Sequence, residues 1–88
     1  MLIEVESAEY IEDYKIHVRF NNGEEGNVDL RDTVFDDKRE IFKALRDKDY
    51  FKNFHLTLNT IGWPNQLDLA PEYLREKMAE PVSADNQR

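Results

Sequence analysis

An α+β fold is predicted for this chain by three observations. Two strongly alternating stretches flank an Asn-Asn-Gly turn near the start. A short apolar stripe at helical spacing follows, with an acidic residue ahead of it. A second alternating region then runs into Trp63-Pro64-Asn65 and a proline-initiated helix. The expected order is β-β-β-α-β-β-α: a mainly antiparallel sheet of about five strands with two short helices on one face. Residues 1–80 are expected to form a single domain and 81–88 a frayed tail, since that tail is small and polar apart from Val82.

In the first strand Ile3, Val5 and Ser7 alternate with Glu4, Glu6 and Ala8. Glu12-Asp13 signals a turn. Tyr14, Ile16, Val18 and Phe20 then alternate with Lys15, His17, Arg19 and Asn21, giving one apolar and one polar face. A two-residue loop at Asn22-Gly23 puts the next strand's apolar residues on the wrong face. A three-residue loop instead sets Phe20 opposite Glu24, Val18 opposite Gly26, Ile16 opposite Val28 and Tyr14 opposite Leu30. Gly23 then occupies the left-handed bulge position. On the polar face this register sets Arg19 against Glu25 and Lys15 against Asp29, two expected ion pairs.

Arg31-Asp32-Thr33-Val34 reads as a lead into a turn. Asp37 and Glu40 have the spacing of a capping box, followed by the stripe Ile41, Phe42 and Leu45. Asp47-Lys48-Asp49 stops this helix, and Tyr50, Phe51 and Phe54 are expected to plug a sheet edge. Phe54, Leu56 and Leu58 form the fourth strand. With Asn59-Thr60 as a two-residue loop, Leu58 opposes Ile61 and Leu56 opposes Trp63, although Thr is an awkward second residue there. Pro64 ends the fifth strand, and Leu67 and Leu69 flank Asp68 in a short extended piece. Pro71 suits the first position of the last helix, Glu72 its positive end, Leu74 and Met78 its inner face, and Pro81 closes it.

A net charge of −7 argues against a general grip on nucleic-acid phosphates and against an anionic membrane surface. Without cysteine there is no disulfide, thiolate nucleophile or zinc–thiolate site. No long apolar run or signal peptide is read, so the expected location is cytoplasmic. The glycines at 23, 26 and 62 build no phosphate loop, and Ser7 and Ser83 build no nucleophilic triad. No cofactor, metal or catalytic residue is therefore assigned.

The segments Phe20-Asn21-Asn22-Gly23-Glu24, Val28-Asp29-Leu30, Ile61-Gly62-Trp63-Pro64-Asn65 and Asp68-Leu69-Ala70-Pro71-Glu72-Tyr73-Leu74 together resemble domain-of-unknown-function family 2442. The resemblance spans roughly residues 2–75. It implies a small bacterial α+β protein with no established activity. Members often sit beside another small domain suspected of toxin character. Some carry a helix-turn-helix extension, for which this chain is too short. The chain departs from the family at Gln66, where glycine is usual.

Four binding candidates come from this region: Trp63, Asn65, Asp68 and Tyr73. Trp63 reads as a stacking platform or as the largest piece of the core. Asp68 reads as an anchor for a basic partner, as a general acid/base, or as a hydrogen-bond acceptor near the turn. Asp29 and Arg31 read as a reactive pair, or Asp29 as the cross-strand partner of Lys15. His17 and His55 both fall on polar strand faces, with no spacing typical of metal ligands. The favoured expectation is a non-catalytic protein-binding or regulatory module, antitoxin-like toward a neighbouring small protein, or self-associating. The alternative is a small hydrolase using Asp68 with a histidine. Nucleic-acid binding through Trp63, Tyr73 and a patch of Lys15, Arg19 and Arg31 ranks third.

Overall fold

A computed structural model describes residues 2–78. Strands β1 (Val5–Glu12), β2 (Lys15–Phe20) and β3 (Glu25–Asp29) form one antiparallel sheet in that order. The expected register holds. Ile16 lies opposite Val28 and Val18 opposite Gly26, while the Phe20 N–H donates to the Glu24 carbonyl (2.8 Å). Gly23 has φ +91° at the bulge position, a conformation most residues reach only with strain. Ile16, Val18, Phe20 and Val28 are fully buried on the inner face. β1 runs further than expected. Its ladder is interrupted at Glu6 and again at Ile11, where the register shifts by a residue.

The chain does not make one five-stranded sheet. β4 (His55–Thr57), β5 (Thr60–Gly62) and β6 (Asp68–Leu69) form a second three-stranded antiparallel sheet. Alternation in a sequence reports which face a residue takes and not which strand lies alongside. These strands, two or three residues long, pair only with one another. The two sheets meet through a common core and a backbone hydrogen bond from the Val5 N–H to the Asn59 carbonyl (2.9 Å).

The β4–β5 loop is also corrected. Leu56 opposes Ile61 and Thr57 opposes Thr60, so the two loop residues are Leu58 and Asn59, with φ +49° and +68°. A two-residue hairpin with both central residues left-handed resists a β-branched side chain. Moving the turn back by one residue spares Thr60, whose buried hydroxyl donates to the Leu69 carbonyl.

Four short helices replace the expected two: α1 (Arg31–Asp36), α2 (Glu40–Lys43), α3 (Lys48–Phe51) and α4 (Pro71–Glu76), with a 3-10 turn at Ala44–Arg46 after α2. The stretch read as a turn becomes α1 through contacts at both its ends. At its start the Asp29 carboxylate accepts from the Arg31 N–H (3.0 Å). At its end the Arg46 guanidinium donates to the carbonyls of Val34 (3.2 Å) and Phe35 (3.3 Å), satisfying groups a helix leaves open. Asp37 caps no helix. Its carboxylate accepts from the backbone N–H and the guanidinium of Arg39. The helix expected over 37–46 is therefore cut to α2 and the 3-10 turn. Asp47 then caps α3 by accepting from the Asp49 N–H (3.0 Å). The expected helix stop at Pro81 and the tail beyond it lie outside the described residues.

The core runs between the sheets and these helices. Trp63 is 1% exposed, and its indole Nε1–H donates to the Phe51 carbonyl (2.9 Å). Its ring lies 5.8 Å from that of Phe51 and 6.4 Å from that of Phe54. Phe51 in turn packs edge-on against Tyr14 (5.2 Å) in the β1–β2 turn of the first sheet. Trp63→Phe is expected to cost about 1–3 kcal/mol, because it leaves the buried Phe51 carbonyl without its donor. Urea denaturation followed by circular dichroism measures this.

Candidate functional site

The turn after β5 is built from its own side chains. The Gln66 N–H donates to the Trp63 carbonyl (2.9 Å), and the Trp63 N–H donates to the Leu67 carbonyl (2.8 Å). The Asn65 side chain works in both directions. Its Oδ1 accepts from the Leu67 N–H (3.1 Å), and its Nδ2 donates to the Ile41 carbonyl of α2 (3.1 Å). Gln66 has φ +72°. That left-handed position is where glycine is least strained, so glutamine holds it at a cost.

β6 returns antiparallel to β5, and a row forms across the second sheet. His55 lies opposite Gly62, and Gly62 lies opposite Asp68. Gly62 has no room for a side chain. A Cβ there would lie 2.9 Å from Thr57 Cγ2 and 3.2 Å from the Leu67 carbonyl oxygen. The bare backbone between the imidazole and the carboxylate floors an open groove of about 300 Å³, lined by His55, Thr57, Gln66 and Asp68 among others. Asp68 is exposed, and among the described residues its carboxylate takes no hydrogen bond. Tyr73 of α4 shares a hydrogen bond with Thr33 of α1 (2.6 Å between hydroxyl oxygens).

The four sequence candidates are thus divided. Trp63, Asn65 and Tyr73 spend their polar atoms inside the molecule, joining β5 to α3, the turn to α2, and α4 to α1. Asp68 alone presents its polar end to solvent. His17 and His55 are on different sheets and do not meet. Among the described residues no three histidine or acidic side chains converge as metal ligands. Asp29 does not pair with Lys15, whose ammonium lies 3.8 Å from Glu12.

Charge pairing ties the periphery together. The Arg75 guanidinium grips Glu24 through two contacts (2.5 and 2.9 Å). Those hydrogen bonds hold the Glu24 carboxyl below its ordinary value. At the β1–β2 turn Asp13 has φ +50° and takes both Arg31 (2.9 Å) and Lys48 (3.2 Å). Desolvation opposes its charge, yet these two cations outweigh that and lower its pKa.

One surface feature was missed by pattern reading. Leu58 is 85% exposed at the tip of the β4–β5 hairpin, and Leu56, 49% exposed, lies two residues away on edge strand β4. The available signal was a leucine directly before Asn59, in a place where turn chemistry prefers Asn, Asp or Gly.

The family model described as "Protein of unknown function (DUF2442)" matches residues 5–80. The chain belongs to this family. Its membership carries no activity with it. No curated protein matches the chain. No solved structure matches it either. The left-handed backbone at Gln66 is one that glycine takes without strain, in keeping with the glycine that the resemblance led one to expect there.

Two substitutions test how the turn is held. Asn65→Ala is expected to lose about 1–3 kcal/mol of stability, since two hydrogen bonds go at once. Gln66→Gly is expected to gain up to about 1 kcal/mol by relieving the left-handed strain. Paired urea titrations would measure both.

Proposed function

We propose that this DUF2442 chain is a non-catalytic protein-binding module whose contact is the β4–β5 hairpin tip. The observation that carries the reading is Leu58. A leucine in the left-handed region costs about 1–2 kcal/mol, and its exposure returns little of that through packing. An apolar side chain kept at such a cost, in full solvent, supports a role outside the folded chain. The edge strand β4 beside it offers backbone groups for pairing with a partner.

The net charge of −7 favours a basic partner. Val5, which holds the hairpin through Asn59, lies between Glu4 and Glu6 in the sequence. An antitoxin-like role toward a basic neighbouring protein fits this chemistry. Asp68 is available as an outlying anchor, while Trp63, Asn65 and Tyr73 act by holding the frame. No described helix is long and apolar enough to cross a membrane. The cations that would make a nucleic-acid patch are each engaged by a carboxylate: Lys15 by Glu12, Arg19 by Glu6 and Arg31 by Asp13.

The hydrolase reading keeps one observation in its favour, the His55–Gly62–Asp68 row in a single groove. Ester hydrolysis abolished by both His55→Gln and Asp68→Asn would establish it over the binding reading.

Leu58→Asn separates binding from folding. Asparagine tolerates the left-handed turn, so stability is expected to rise by about 1 kcal/mol. Capture from the native host, with complex mass from light scattering, is expected to give a stoichiometric partner on the unsubstituted chain and none on the variant. Equal capture by both chains would contradict the reading, as would no partner on either.

A further inference from the structure

The solvent face of the first sheet carries a cationic column between two acidic ones. Lys15, His17 and Arg19 of β2 lie between Glu9 and Glu12 of β1 and Glu25, Asn27 and Asp29 of β3. His17 is the centre. Its Nδ1 lies 2.9 Å from the Asn27 Oδ1, and its Nε2 lies 3.2 Å from the Glu25 Oε1. Both ring nitrogens therefore face oxygen acceptors. A neutral imidazole has only one N–H to donate, whereas the imidazolium has two. The arrangement fits the protonated ring. Glu9, directly across from His17 on β1, adds a further negative charge.

Glu25 has a second cation within reach. It is the cross-strand neighbour of Arg19, the pairing expected from register alone. The structure instead gives Glu25 to His17 and leaves Arg19 with Glu6, at 3.6 Å, in the β1 irregularity. One carboxylate beside two cations, one of them an imidazole that can lose its proton, is the arrangement a proton-controlled exchange needs.

We propose that Glu25 is shared between His17 and Arg19: it holds the imidazolium when His17 is protonated, and moves to Arg19 when His17 is neutral, releasing Glu6. Glu6 adjoins Val5, whose N–H holds the Asn59 carbonyl at the hairpin tip. The exchange thus ends at the residue next to the one that holds the hairpin tip. It does not depend on the hairpin's role in binding, and its test needs no partner.

The Asn27 and Glu25 acceptors raise the His17 pKa above its ordinary value. The linked stability is full below the unfolded-state pKa and is lost as pH rises through the folded one. The experiment is an NMR titration of the isolated full chain between pH 5 and 9. It follows the His17 ring, the Glu25 carboxyl carbon and the Arg19 Nε–H. The His17 midpoint is expected to lie above that of the same chain unfolded in urea, and to fall in both Glu25→Gln and Asn27→Ala. The Glu25 and Arg19 signals are expected to step at the His17 midpoint and to lose that step in His17→Gln. A midpoint equal to that of the unfolded chain, or Glu25 and Arg19 signals without a step there, would overturn the proposal.

Discussion

The seat of Trp63 is the constraint on which the rest of the structure depends. Its indole N–H reaches the Phe51 carbonyl at the end of α3, and its ring packs beside Phe51 and Phe54. Phe51 touches Tyr14 beside the first sheet, so one side chain links the second sheet to a helix and, through that helix, to the first. The strands of the second sheet are too short to persist as an isolated hairpin. Helices of four to six residues do not persist alone either. These pieces hold one another, and the largest buried side chain is where they meet.

How much was legible in the sequence depended on how local each determinant was. The β2–β3 register followed from face parity and from Gly23, both within fifteen residues of chain. The start of α4 followed from Pro71. The division into two sheets was hidden, because lateral strand order is a tertiary matter. α1 was hidden for a similar reason, since its end is satisfied by Arg46 from ten residues or more away. The β4–β5 loop lay one residue earlier than expected: the awkwardness of Thr60 in a turn was legible locally, whereas the bond of its buried hydroxyl to the Leu69 carbonyl was not.

The candidate site was legible in the same uneven way. Trp63, Asn65 and Asp68 drew notice as a motif, and the structure shows what that motif builds. Asn65 and Trp63 build the turn that presents Asp68. A framework residue and a contact residue look alike in a sequence when both lie in one short segment. Leu58 escaped because an apolar residue in an alternating stretch reads as core. Its exposure, beside edge strand β4, is visible only once the turn is placed.

The most direct test of the Trp63 account is hydrogen exchange at its indole Nε1–H, followed by NMR under native conditions. If the seat joins sheets and helices, this proton exchanges only through global unfolding. Its protection free energy then equals the unfolding free energy from urea titration. Exchange at a much lower free energy, with the strand amides of β2 still protected, would show that Trp63 opens locally and that the two sheets are held by something else.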